Sequence, residues 1–235
     1  MKKVLFALVA MSLLFTACED GNDDFIKLKE VDDVCTMMDD LKLMEHCYEE
    51  YDVNKDGKVS MDEAAAVREF ETWSYDISSI KGIEYFTNLE YLLCPNAELR
   101  AVDIDLNNNK KLRTVKLNFS ADAFLDLSTK ISINCGNNTV LKELRLSDCN
   151  LNDLDLSEYV SLTYVSLDNV AIENLNLANG NEITLNLVEG WSDYRKSDCP
   201  ILTIWFKKGQ AFDIYDDDGY YHHSVKYNYT VKYID

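Results

Sequence analysis

The sequence predicts an α+β protein in which two short N-terminal helices cap a short solenoid of stacked coils and a β-rich segment caps its far end. Three observations predict it. Leucine-class residues recur every twenty-one positions from about 67 to 187. Directly before them, residues 52–63 crowd Asp, Asn and Gly into a loop between two helix-favouring stretches. After residue 192 the chain is rich in Tyr and ends in a strand-like, tyrosine-dominated tail. The order read from the chain is a signal segment at 1–17, an acidic tether at 18–34, a helix–loop–helix at 35–66, the solenoid at 67–191 and the cap at 192–235.

The repeat is the longest-range signal. Leu141, Leu144, Leu146, Leu151, Leu154 and Leu156 return twenty-one residues later as Leu162, Val165, Leu167, Ile172, Leu175 and Leu177. The same spacing places Leu112, Val115, Leu117, Leu125 and Leu127 in one earlier copy, and Leu89, Leu92, Cys94, Leu99, Val102 and Ile104 in another. A degenerate copy runs through Val67, Phe70, Thr72, Ile77 and Ile80, and Ile183, Leu185 and Leu187 begin a last one. An insertion of about eight residues, carrying Cys135, Asn137 and Asn138, is expected as a loop between Leu127 and Leu141. The stretch Leu141-Lys142-Glu143-Leu144-Arg145-Leu146-Ser147-Asp148-Cys149 fits the leucine-rich-repeat pattern in full. One such unit cannot bury its apolar side, so neighbours must stack.

Residues Asp52 to Glu63 match the twelve-residue EF-hand loop, and the chemistry explains each position. Calcium is a hard cation that takes six to eight oxygens. Asp52, Asn54 and Asp56 stand at alternate positions, Gly57 permits a positive-φ turn, and Lys58 would offer only its carbonyl. Ser60 fits the water-mediated position and Glu63 the closing bidentate carboxylate. Met44, Tyr48 and Tyr51 line one face of the preceding helix, and Ala64-Ala65-Ala66-Val67 favours a helix after the loop. Val59 is the apolar loop residue that normally bridges to a partner loop, yet no second loop is legible. The expected cofactor is therefore Ca2+, mainly structural, joining EF-hand helices to the first coil.

Lys2 and Lys3 precede an apolar run from Val4 to Phe15, too short to span a bilayer and typical of a cleaved signal. Phe15-Thr16-Ala17-Cys18 resembles a bacterial lipobox, which would make Cys18 the lipid-bearing first residue of the mature chain. The acidic run Glu19-Asp20-Gly21-Asn22-Asp23-Asp24 is similar to the surface-export signal of Bacteroides-type lipoproteins. With Gly82-Ile83-Glu84-Tyr85-Phe86-Thr87-Asn88-Leu89, the Leu-Asp-Leu-Ser repeats and Ile204-Trp205-Phe206-Lys207-Lys208-Gly209-Gln210, the chain resembles Bacteroides-type leucine-rich-repeat lipoproteins over residues 18 to about 210. The resemblance implies a fold, a calcium site and an outer-membrane or cell-surface location, and no particular substrate.

Composition narrows the partners. A formal net charge of -19 repels phosphates and excludes nucleic acid. Residues 19–63 alone hold 16 acidic and 5 basic side chains. Strand residues facing outward would form a mixed aromatic and basic surface from Tyr91, Lys116, Arg145 and Tyr164, suited to a protein or glycan ligand. His46 is expected on the exposed side of its helix. Cys94 and Cys149 fall on inward positions, and Cys35 and Cys47 would stand roughly 18 Å apart on a continuous helix, beyond disulfide reach. Cys135 could meet Cys199, and His222-His223 beside Asp216–Asp218 reads as solvated tail rather than metal site. No spacing assembles a catalytic constellation, so no enzymatic activity is expected. A ligand-free structural envelope protein and, less favoured, a glycan-active enzyme using paired carboxylates are the alternatives.

Overall fold

The computed structural model describes residues 32–120, 130–188, 201–216 and 228–235. The signal segment, Cys18, most of the tether, Leu125 and Leu127, Cys199 and His222-His223 lie outside the described residues. Helix α1 runs from Leu41 to Tyr51 and α2 from Met61 to Ala66, after a 3-10 turn at Val34–Met37. Thirteen strands follow among the described residues: β1 (Glu69–Glu71), β2 (Tyr91–Leu99), β3 (Asp103–Asp105), β4 (Thr114–Phe119), β5 (Ser132–Asn134), β6 (Glu143–Asn150) and β7 (Leu154–Asp155). They continue as β8 (Tyr164–Ala171), β9 (Asn174–Asn176), β10 (Ile183–Val188), β11 (Leu202–Lys207), β12 (Phe212–Tyr215) and β13 (Tyr229–Ile234).

Every pairing between these strands is parallel, and two walls result. One wall is the seven-stranded sheet β1-β2-β4-β6-β8-β10-β12. The other consists of the pair β3-β5 and the four-stranded sheet β13-β11-β9-β7. From the coil of β2 onward each coil contributes one strand to each wall, and the first coil contributes β1 alone. The molecule is thus a leucine-rich-repeat-like parallel solenoid. In the long sheet Leu92, Val115, Leu144, Val165 and Leu185 stand in one register row, and Cys94, Leu117, Leu146, Leu167 and Leu187 in the next. All are essentially fully buried. Burial of each such leucine-sized side chain contributes about 1.5–3 kcal/mol, which makes coil-on-coil stacking the main source of stability.

Two details of the repeat differ from the spacing argument. Val102 is 48% exposed, and the inward positions of that coil are Ile104 and Leu106. The span from Leu89 to Leu112 is two residues longer than the repeat. A bulge in β2 sets Cys94 and Leu99 against Leu117 and Phe119, and Pro95, which has no N–H to give the ladder, sits within it. The second difference concerns the insertion. Ile131, Ile133 and Cys135 supply the second-wall positions expected from Leu125 and Leu127, and β5 pairs β3 through Ile104 and Ile133. The extra residues therefore precede Ile131, and Cys135 and Asn138 are buried members of the regular coil.

Amides close the corners between coils. Asn109 donates from Nδ2 to the carbonyls of Ile83 and Phe86 at 2.9 and 3.0 Å, and Asn138 to that of Leu112 at 2.9 Å. Asn179 serves Tyr159 and Leu162, and Gln210 serves Leu177. Buried carbonyls at a turn have no ladder partner, so a side-chain donor from the next coil satisfies them. The described strands of the C-terminal segment continue both walls: β12 pairs β10 and β13 pairs β11.

At the other end, α1 and α2 cover the first coil. Phe70 and Phe86 are fully buried, and Tyr51 of α1 packs against both, with ring centroids 5.8 and 5.6 Å away. Two buried aspartates tie the helices down. Asp33 and Val34, grouped with the tether by charge, are buried here. Asp33 accepts from the N–H groups of Cys35 and Val59 and from the Tyr48 hydroxyl at 2.7 Å. Asp40 caps α1 through Lys42 and Leu43 and accepts from Ser78 and Ser79 of the first coil. Burial opposes its charge, but the N–H groups of Leu43 and Ser78 hold its carboxyl below the ordinary value. The bend between the 3-10 turn and α1 also overturns the expected separation of Cys35 and Cys47. Their buried thiols meet in a hydrogen bond.

Asp40→Ala removes a helix cap and leaves the Ser78 and Ser79 donors facing an apolar gap. It should cost about 2–4 kcal/mol in denaturant unfolding, while Asp40→Asn, which keeps one acceptor, should cost less than half as much.

Candidate functional site

The loop from Asp52 to Glu63 is shaped by two positive-φ residues, Lys55 at 61° and Gly57 at 89°. Between them the chain reverses, so that side-chain oxygens point at main-chain N–H groups inside the turn. Asp52 accepts from Asp56 and Gly57, Asn54 from Asp56 at 2.8 Å, and Asp56 from Lys58. Glu63 closes the loop. Its Oε1 accepts from Val53 and Asn54, and its Oε2 from the N–H and hydroxyl of Ser60. Ser60 in turn caps α2 in a reciprocal box with Glu63. The Ser60 N–H, with the other donors, holds the Glu63 carboxyl below its ordinary value.

The Lys58 ammonium is directed away from the loop to Asp32, 2.7 Å off, and this ion pair lowers the Asp32 pKa. Val59 is fully buried, and its carbonyl accepts from Val34 N–H at 2.9 Å. The strand-like bridge that a partner loop would make is thus made by Asp33 and Val34. As placed, the six expected ligands lie in one loop, and their carboxylates are bound to its own N–H groups. Among the described residues, no three His, Cys, Asp or Glu side chains are grouped so as to hold a metal ion.

On the long sheet, register places Tyr91, Thr114, Glu143 and Tyr164 in one outward row and Leu93, Lys116, Arg145 and Ser166 in the next. Lys116 and Arg145 are neighbours. Arg145 stacks over Tyr164 with its guanidinium 4.7 Å from the ring centroid and pairs with Glu143. Tyr91, 39% exposed, is three strands from Tyr164, roughly 14 Å at ordinary strand spacing. The structure therefore gathers Lys116, Arg145 and Tyr164 and leaves Tyr91 at the margin. Ser166, though in this row, is buried and accepts from Asn186.

His46 departs from its expected exposed setting. Its ring meets Phe70 edge-on at 5.1 Å and Tyr51 at 5.9 Å, and it bonds to the Glu71 main chain. The spacing of His46 on α1 carried no sign of this, because Phe70 arrives from β1.

No protein-family model matches the chain, and no curated protein does. Among solved structures, the chain is similar to an internalin of Listeria monocytogenes, with 16% identity over 79% of this chain and 73% of that one, at a TM-score of 0.32. No described helix is long and apolar enough to cross a membrane.

Desolvation lowers the His46 pKa, although Glu50 and Glu49 oppose it. The folded state therefore favours neutral imidazole. Its contribution is complete above the ordinary value of about 6.5 and is lost as pH falls through the lower folded value. Thermal unfolding of the parent should accordingly weaken faster than that of His46→Leu as pH is lowered from 7 to 5.

Proposed function

We propose that the chain is a calcium-binding, lipid-anchored surface protein whose solenoid serves as a recognition module for a protein or glycan ligand. The observation that carries the calcium reading is the closure of the 52–63 loop by Glu63, which brings the twelfth position back to the N–H groups of Val53 and Asn54. Asp52, Asn54, Asp56, the Lys58 carbonyl, Ser60 and Glu63 would hold the ion, all by oxygen, the donor set calcium prefers. The ion would supply positive charge to a module otherwise held by carboxylate-to-amide bonds. Its role is structural, because the loop is joined through Val59 to the same Asp33–Val34 segment that packs on the helices.

The anchoring reading rests on Cys18 and the residues around it, and the recognition reading on the Lys116–Arg145–Tyr164 face. An extracellular EF-hand binds calcium at around 10⁻⁴–10⁻³ M. At about ten times the Kd, calcium should add about 1.4 kcal/mol and raise the melting temperature relative to chelator. Glu63→Gln should abolish that difference; an unchanged difference would refute the site. Cys18→Ala should release the protein from the membrane fraction, and Arg145→Ala with Tyr164→Ala should weaken capture of the ligand.

A further inference from the structure

The wall opposite that face carries a second outward row with a rule of its own. Register aligns Asp105 with Asn134, Asp155 with Asn176, Asn176 with Trp205, and Trp205 with Lys232. The first four do a common structural task. Each side chain accepts the N–H two residues on, at Asn107, Gly136, Ser157 and Ala178, and so turns the chain out of its strand. Trp205 cannot accept that bond. In its coil Gln210 does related work, with its Oε1 accepting from the Lys207 N–H at 2.9 Å and its Nε2 reaching Leu177. The fold has no need of an indole at this position.

The indole stands beside a built groove. A shallow cavity of about 370 Å³ is bounded by Trp205, Ile234, Leu154, Asp153, Asp155, Asn174 and Asn176. Lys232 holds the indole from the neighbouring strand, its ammonium 4.9 Å from the ring centroid. Asn174 donates one N–H to Asp153 at 3.0 Å, and Asn176 is paired with Asp155. Each amide keeps a second N–H and each carboxylate keeps further acceptor sites. Two parallel acid–amide pairs thus lie next to a flat aromatic surface, one strand spacing apart.

We infer that this groove binds a neutral pyranose glycan, a site separate from the Lys116–Arg145–Tyr164 face. A sugar ring has an apolar C–H face for the indole and vicinal hydroxyls that both donate and accept. Asp153 and Asp155 would accept hydroxyl protons, and Asn174 and Asn176 would donate to hydroxyl oxygens. An apolar ligand would leave these groups unpaired at a cost. A uronate or sulfated glycan would meet two carboxylates on a strongly acidic protein. An extended peptide would find the main chain of β9 and β11 already paired on both sides.

The test titrates the full-length chain with maltohexaose, cellohexaose and mannohexaose, with polygalacturonate and a proline-rich peptide alongside, reading tryptophan fluorescence and gel retardation. At least one neutral oligosaccharide should bind saturably and shift the emission. Trp205→Ala should weaken that binding by about tenfold or more, and Trp205→Phe should weaken it less. Asp153→Ala, which leaves the turn at Ser157 intact, should also weaken it. Oligosaccharide binding that Trp205→Ala leaves and Arg145→Ala removes would belong to the face on the other wall, which separates failure of this inference from failure of that reading. The inference is overturned if no neutral oligosaccharide binds at millimolar concentration. Undiminished binding by Trp205→Ala, loss through Arg145→Ala, or preference for polygalacturonate or the peptide would overturn it equally.

Discussion

No described strand pairs with a strand of its own coil. Each takes its ladder hydrogen bonds from the coils before and after it, and its inward side chain lies on theirs. That one constraint sets the leucine spacing, because a coil of another length must hide its extra residues in a bulge or an insertion. Both solutions occur here, at Pro95 in β2 and before Ile131. It also makes the two ends special, since a terminal coil has a neighbour on one side alone. At the N-terminal end Tyr51 and His46 complete an aromatic cluster with Phe70 and Phe86. At the other, Phe212 stacks on Phe206 at 3.9 Å while remaining half-buried.

The helical cap resolves a difficulty that its composition creates. A segment with 16 acids and 5 bases should resist compaction, yet two of those acids are buried. Asp33 and Asp40 are tolerated because each is surrounded by N–H and O–H donors, which replace the hydrogen bonds that water would give a carboxylate. Their donors come from three places: the helix they cap or precede, the 52–63 loop, and the first coil. Acidity in this region therefore acts as a connector. In the loop, Asp52, Asp56 and Glu63 act in the same way, each bound to main-chain N–H groups of its own turn.

What was legible in the sequence was whatever repeats or follows a fixed local pattern. Leu144, Leu146, Val165 and Leu167 stand where their spacing placed them, and the 52–63 loop turns at Gly57 as its pattern requires. Illegible were the positions where two apolar alternations compete. Val102–Ile104 and Ile104–Leu106 satisfy the same rule, and only the packing between coils, which buries Leu106 and leaves Val102 exposed, decides between them. The meeting of Cys35 and Cys47 depends on a bend capped by Asp40, and the half-buried setting of His46 depends on Phe70 arriving from another element. Those are tertiary facts. No periodicity within one helix could carry them.

The outward rows follow a different logic from the core. Inward positions are fixed by stacking, so their chemistry says little about function. Outward Asp and Asn near strand ends have a turn to make, which explains Asp105, Asn134, Asp155 and Asn176 without any ligand. The informative residues are those that break a row when the fold does not require it. Arg145 over Tyr164 is one such departure and Trp205 beside Lys232 is the other. Both place a cation on an aromatic ring, which fixes the orientation of a large side chain before any partner arrives. An ordered aromatic surface loses little freedom on binding, so at these two spots, on opposite walls, the proposed recognition would carry the smallest entropic cost.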